Sequence, residues 1–93
     1  MRERWWGGSG RRVPEIAVEG DPAVPAAEAL VLDGVGDLQA IADAFDAGRP
    51  VVVRAASSAE VQAALARPEV STVLVPEHQR DLLELDLAQL TYG

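Results

Sequence analysis

Three short runs of apolar residues alternate with two amphipathic segments between residues 28 and 76. The runs cover residues 29–32, 51–53 and 72–75, and each has the length of a strand rather than of a helix. Strands without polar alternation are typical of a parallel sheet that is covered on both faces. We therefore predict an α/β fold for residues 28–93, with a small three-stranded, mainly parallel sheet in β-α-β-α-β order.

The two segments between these runs carry helix signals. Asp37 is placed as an N-cap, and apolar residues follow at i, i+3, i+4 and i+7, which predicts a helix with one buried face. These apolar positions are Leu38, Ile41, Ala42 and Phe45. Gly48 and Pro50 are typical of residues just beyond a helix end. Ser57 and Glu60 match a capping box, which predicts that a second, short helix begins there.

The segments before and after this core have different signals. Prolines at positions 14, 22 and 25 exclude a continuous helix and indicate that residues 13–27 are a linker. Polar and apolar residues alternate over residues 15–19, so the linker also permits an edge strand there. Helix-favouring residues after Pro76 predict a C-terminal helix over residues 77–85. Residues 86–93 fit either a helix or a strand.

Residues 1–12 form a basic arm that contains three glycines and two adjacent tryptophans. Glycine disfavours a helix, so we expect the arm to be flexible when alone and to dock onto a partner through its aromatic and basic side chains. The candidate partner-binding residues are Arg2, Arg4, Trp5, Trp6, Arg11 and Arg12. The alternative is that the tryptophans fold back onto the domain's own sheet. A membrane surface is a further candidate partner, although the arm is too short and glycine-rich for a strong interfacial helix.

Charge and composition exclude several classes of function. The net charge of −7 is unevenly spread, because residues 1–12 carry four arginines and one glutamate while the remainder carries four arginines and fourteen acids. The acidic body should repel nucleic acid. Cysteine and lysine are absent and there is one histidine, so we expect no metal site, no cofactor and no covalent catalysis. We expect a cytoplasmic protein, because neither a secretory signal nor a membrane span is evident.

The carboxyl ends of the predicted strands are the second candidate site. Parallel strands place these ends at one edge of the sheet, where open α/β sheets usually bind ligands, and the free N–H groups of helix N-termini could hold an anion there. The candidate residues at this edge are Asp33, Gly34, Gly36, Ser57, Ser58 and His78. Capping and turn geometry also explain most of them. A general base would have to be His78, and we expect no enzymatic activity.

Two stretches resemble known families. Residues 37–45, DLQAIADAF, and 47–53, AGRPVVV, resemble the first helix and following strand of SepF-type cell-division proteins. That resemblance implies an N-terminal membrane-binding segment, a linker and a dimerising α/β domain that binds the tubulin-like division protein. Residues 49–70 resemble the closing half of a STAS regulatory domain. Both resemblances imply a non-enzymatic interaction module.

The leading hypothesis is therefore an interaction or assembly module, and a structural subunit of a larger complex is one form of it. We expect it to form a homo-oligomer through a sheet edge or an exposed helix and to bind a protein partner through the arm. The alternative is a ligand-binding or regulatory domain that holds a small anion or phosphate at the strand ends. These two hypotheses place the site at different parts of the chain.

Overall fold

The protein is described here by a computed structural model, which covers residues 3–8 and 10–84. The chain folds into a mixed α/β domain with a four-stranded parallel sheet, two α-helices and a separate two-stranded antiparallel sheet. The α/β class is thus confirmed. The prediction for residues 86–93 lies outside the described residues.

The parallel sheet has one strand more than the three predicted. Its strands are β3 (Ile16–Val18), β4 (Leu30–Leu32), β5 (Val51–Arg54) and β6 (Thr72–Val75), in the spatial order β3-β6-β5-β4. The extra strand β3 is the edge strand that the alternation over residues 15–19 permits, and it pairs with β6 along its whole length. Neighbouring positions alternate between the faces, so Val51 and Val53 enter one hydrophobic cluster and Val52 enters another.

Both α-helices cover the same face of this sheet. Helix α1 (Leu38–Asp46) connects β4 to β5, and helix α2 (Ser58–Leu65) connects β5 to β6. The predicted caps are confirmed: the carboxylate of Asp37 accepts from Ala40 N at 3.0 Å, and Ser57 Oγ accepts from Glu60 N at 3.2 Å. These caps fix where each helix begins, and therefore which side chains it turns towards the sheet.

The buried face of α1 differs from the predicted one. Ile41 and Ala44 are buried, whereas Leu38 and Phe45 are 50% and 58% exposed. Helix α1 has a wider apolar surface than the sheet can cover, so only the middle of that surface is buried. The assignment of Leu38 and Phe45 to the core is therefore wrong, and two large apolar side chains remain at the surface.

The N-terminal arm and the linker cover the opposite face of the sheet. The arm forms an antiparallel hairpin of β1 (Glu3–Trp5) and β2 (Arg12–Pro14), and a 3₁₀ turn (Ala26–Glu28) lies in the connection to β4. Side chains from these segments pack against the sheet in one buried cluster, which consists of Trp6, Val13, Ala17, Val24, Ala29, Val52 and Leu74. The arm is thus part of the folded domain, and the expectation of a flexible arm is wrong.

The segment after β6 is helical but not α-helical. A 3₁₀ helix spans Glu77–Glu84 and is interrupted at Gln79, whose φ of −119° and ψ of 36° are not helical. Leu82 is buried in the cluster under α1 and α2. We attribute the loss of α geometry to this packing, because a segment of eight residues has little helical stability of its own. Residue 85, the predicted end, lies outside the described part of the chain.

Candidate functional site

The hairpin is held to the body by Arg4. Its guanidinium donates to three carbonyl oxygens at the end of α2 and in the loop that follows, at 2.6 Å for Leu65, 3.1 Å for Arg67 and 3.0 Å for Val70. Arg4 Nε also lies 3.5 Å from Glu15 Oε2, and the Glu15 side chain is only 8% exposed. A planar guanidinium suits this task because its donors are fixed in a fork. Arg4 is therefore a structural residue in this conformation.

Trp6 is the largest fully buried side chain, with 1% of its surface exposed. Its Nε1 lies 3.4 Å from Glu28 Oε1, and Arg11 Nη1 lies 3.9 Å from the same oxygen. For Trp6 the structure agrees with the alternative in which the tryptophan folds back onto its own domain. A side chain packed in this way does not meet a partner unless the hairpin detaches.

The turn of the hairpin lies against the end of α1. Gly8 N donates to Gly48 O at 2.9 Å, and Gly7 has a φ of +57°. A Cβ atom on Gly7 would lie 2.5 Å from Gly48 O and 2.8 Å from Pro50 N. The glycines of the arm thus permit a close backbone approach, which places the hairpin beside Phe45.

Trp5 lies on the outer side of the hairpin and is 57% exposed. The guanidinium of Arg12 stacks over its ring, 4.4 Å from the centroid. Trp5 and Phe45 both line a groove of about 570 Å³ between the hairpin, the end of α1 and the loop before β6. The groove therefore contains two of the three large apolar side chains that are exposed in the described part of the chain.

The polar residues of this groove are nearly balanced in charge. Arg49 and Glu3 are exposed, while Arg67 Nη2 donates to Glu69 Oε2 at 3.3 Å. The other carboxylate oxygen, Glu69 Oε1, is buried and has no hydrogen-bond partner among the described residues. Arg67 Nε is also buried without a partner in this part of the chain, so both unsatisfied atoms belong to the Arg67–Glu69 pair itself and are not accessible from the groove.

A smaller cavity of about 340 Å³ lies at the carboxyl ends of the parallel strands, at the opposite end of the sheet from the groove. Arg54, the last residue of β5, donates to Glu19 Oε1 at 2.8 Å and to Asp33 Oδ1 at 3.5 Å. The hydrogen bond and charge of Glu19, with a smaller effect of Asp33, raise the pKa of Arg54. The lining residues are Glu19, Asp33, Arg54, Ala55, Ala56, Glu60, Leu74, Val75 and Pro76. With three carboxylates and one guanidinium, the lining is net acidic.

The cavity lies at the carboxyl ends of β3 and β6, and the chain segments that follow these two strands run over opposite faces of the sheet. The connection after β3 runs over the face that carries Val24, and the segment after β6 returns to the face that carries Leu82. These two strands are neighbours in the sheet, so a crevice opens between their carboxyl ends. Crevices at such switch points are the usual ligand sites of open α/β sheets.

Only one residue of the predicted strand-end site lines this cavity. Asp33 does so, whereas Ser57 caps α2. Four further candidates are exposed and are not among its lining residues: Gly34, Gly36, Ser58 and His78. Sequence reasoning missed Arg54, although its position as the first polar residue after an apolar run was a signal. It also missed Phe45 as a surface residue.

The candidate partner-binding residues of the arm are divided by the fold. Arg4 and Trp6 are committed to contacts within the domain. Trp5 and Arg12 form an exposed stacked pair, and Arg11 lies near Glu28. Arg2 lies outside the described residues. The arm therefore presents Trp5 with Arg12 as its accessible aromatic and basic pair.

The described residues contain no group of three or more histidine or acidic side chains that could hold a metal ion. None of the helices in residues 3–8 and 10–84 is long and apolar enough to cross a membrane. Comparison of the chain with protein-family models, curated proteins and solved structures gives no match. The resemblances to SepF-type proteins and STAS domains therefore stay predictions.

Proposed function

We propose that this protein is a non-enzymatic interaction module that binds a segment of a partner protein in the groove between Trp5 and Phe45. The observation that carries the proposal is the contrast between neighbouring tryptophans: Trp6 is 1% exposed and Trp5 is 57% exposed. A small domain that needs apolar burial leaves one of its two tryptophans outside, beside a second exposed aromatic ring. Large aromatic side chains of this kind supply much of the energy of protein interfaces.

The groove is suited to binding because its walls are fixed before a partner arrives. Arg4 anchors the hairpin through three carbonyl oxygens, and Gly8 bonds to the end of α1. Arg12 holds the ring of Trp5 in place. Ordering these groups therefore costs little on binding, which favours affinity.

The chemistry of the groove indicates what the partner segment carries. The rings of Trp5 and Phe45 favour an apolar or aromatic anchor, and the exposed carboxylate of Glu3 favours a hydrogen-bond donor beside that anchor. We expect the bound segment to pair an aromatic or aliphatic side chain with an arginine, a lysine or a hydroxyl-bearing residue.

The proposal is tested by selecting peptides from a displayed library against the full chain. Enriched peptides should carry an apolar anchor next to a donor, and Trp5→Ala or Phe45→Ala should weaken their binding by about tenfold or more. Leu38→Ala is the matched control, because Leu38 is exposed on the same helix but does not line the groove. Binding that both groove variants retain, or a selection without enrichment, would refute the proposal.

Point variants are required because deletion of the arm would be misleading. Residues 1–12 include Arg4 and Trp6, which hold the hairpin to the body and fill the second core cluster. Loss of partner binding after such a deletion would therefore report damage to the fold as much as loss of the groove.

The cavity around Arg54 supports a second candidate function, the binding of a small molecule at the strand ends. The three lining carboxylates make a cationic group more favourable there than the anion that the sequence predicts. A thermal-shift screen with amines, guanidines and phosphates distinguishes the cases, because a bound ligand stabilises the native state by mass action. Stabilisation by an amine or a guanidine that Asp33→Asn weakens and Trp5→Ala preserves would favour this second candidate.

A further inference from the structure

The two edges of the parallel sheet are protected to different degrees. At one edge, β3 lies next to Glu15 and Glu19, and the 3₁₀ helix after β6 packs against it. At the other edge is β4, whose residues Leu30, Val31 and Leu32 are all half-buried. Within the described ranges no strand pairs with the outer side of β4. Natural sheets usually block such an edge with proline, lysine or a bulge, and β4 has none of them.

The free hydrogen-bonding groups of β4 belong to Val31. Leu30 N donates to Pro50 O, and the parallel register places Leu30 beside Val51 and Leu32 beside Val53. Along a strand of a parallel sheet, the backbone N–H and C=O groups of successive residues point alternately to one side and to the other. Leu30 and Leu32 bond to β5, so the N–H and C=O groups of Val31 point away from β5. They are therefore available to another strand.

A second copy of the same edge fits these groups. Antiparallel pairing about a two-fold axis at Val31 lets each Val31 exchange both bonds with its equivalent, and sets Leu30 opposite Leu32. The same register brings Asp33 of one copy opposite Ala29 of the other. In each copy Arg49 Nη2 already lies 3.3 Å from Ala29 O. Asp33 of one copy therefore comes close to Arg49 of the other, twice across the axis.

Both charged residues are able to make this contact. The side chain of Asp33 is 88% exposed, and its ion pair with Arg54 is 3.5 Å long, so it is held weakly. Arg54 would keep its shorter contact of 2.8 Å to Glu19 if Asp33 turned to a partner. Opposite charges brought together across an interface favour the register that joins them over registers that do not.

We propose that the protein forms a symmetric dimer in which the two β4 strands pair antiparallel and join the sheets into one of eight strands. Asp33 and Arg49 of the two copies form reciprocal ion pairs that select this register. Arg49 also lines the groove at Trp5, but Trp5 and Phe45 are not part of the paired strands, so the dimer carries two such grooves, each beside the interface.

The test measures the dimer dissociation constant of the full chain by sedimentation equilibrium at physiological salt. Because the paired edge is short, we expect a weak dimer, with a constant in the range of roughly 10 µM to 1 mM. Asp33→Arg and Arg49→Asp should each raise it by about tenfold, since the symmetry makes every substitution act twice. The double variant, D33R with R49D, should restore dimerisation because the charges are exchanged but still opposite.

Two further variants make the result decisive. Val31→Pro removes the outward N–H group without removing a bond to β5, so it should abolish the dimer while circular dichroism stays unchanged. Trp5→Ala should leave the dissociation constant unchanged. The proposal is overturned by a monomer at every concentration, by single charge reversals without effect, by failure of the double variant to recover, or by a dimer that depends on Trp5. The last result would assign self-association to the groove instead.

Discussion

Replacement of Trp6 by alanine should remove a large fraction of the stability of this domain. Trp6 is 1% exposed and packs with Val13, Ala17 and Leu74 on the hairpin side of the sheet. Truncation of a buried tryptophan to alanine costs about 3–5 kcal/mol, from lost burial and from the cavity that remains. A chain of 93 residues has a typical total stability of about 5–14 kcal/mol, so the loss is large in relation to the whole.

The neighbouring tryptophan supplies a matched control. Trp5 is 57% exposed, and its described interaction is the stack with Arg12 at 4.4 Å. A cation–π contact at an exposed site contributes about 0.5–1 kcal/mol, so Trp5→Ala should cost no more than about 1 kcal/mol. Trp6→Ala should thus lower the free energy of unfolding at least about three times as much as Trp5→Ala does.

The difference is measured by urea unfolding followed by far-ultraviolet circular dichroism. Trp6→Ala should shift the midpoint strongly to lower urea, and Trp5→Ala only slightly. Trp5→Phe leaves Trp6 as the single tryptophan, and its emission should be blue-shifted in the native state and red-shifted on unfolding. Equal shifts for the two alanine variants, or a water-like emission from Trp6 in the native state, would refute the packing of the hairpin on the sheet.

Three other changes test the contacts that position the groove, each by the same unfolding measurement. Arg4→Lys should destabilise by about 1–3 kcal/mol, because an ammonium group cannot reach the carbonyl oxygens that the guanidinium fork bonds together; an unchanged midpoint would contradict the anchoring role. Ser57→Ala should cost about 1 kcal/mol through loss of the cap on α2, and Ser57→Asp should preserve most of the stability. Gly7→Ala should cost about 2 kcal/mol or more, since its Cβ would lie 2.5 Å from a backbone oxygen. Gly10→Ala, with a φ of +79° and open space around it, should cost only about 1 kcal/mol, and equal costs at the two glycines would count against the close approach.

The core α/β order could be predicted from the sequence because its signals are local. Asp37 and Ser57 cap the helices that they were predicted to cap, and Gly48 has the positive φ of 72° expected beyond a helix end. Each of these signals depends on residues within three or four positions. Periodicity and capping therefore defined α1, α2 and their strands.

The fold of the arm could not be predicted in this way. Arg4 bonds to carbonyl oxygens 61 to 66 residues away, and nothing near it in sequence indicates those partners. The pairing of β3 could not be predicted for the same reason. The alternation over residues 15–19 permits an edge strand, but the strand that it pairs with, β6, is distant in sequence. Burial of Trp6 is likewise a property of the assembled sheet.

The candidate sites show the same division. Phe45 lies on the predicted helix, but only the relative position of α1 and the sheet decides that it stays outside. At the carboxyl ends of the strands, Arg54 donates to Glu19, which lies in the turn after β3, 35 residues earlier. The residue types were visible in the sequence, whereas their grouping depends on contacts between distant segments.

The packing of the N-terminal hairpin against β6, the last strand, has a consequence for synthesis of the chain. Ribosomes add about 5–20 residues per second, so several seconds pass between the appearance of Trp6 and that of Leu74, which completes its surroundings. The carbonyl oxygens that hold Arg4 also come late in the chain. During that interval both tryptophans are available to chaperones or to other nascent chains. The hairpin therefore packs against the sheet late in folding. From that point Trp6 is buried, and Trp5 is the tryptophan that stays exposed.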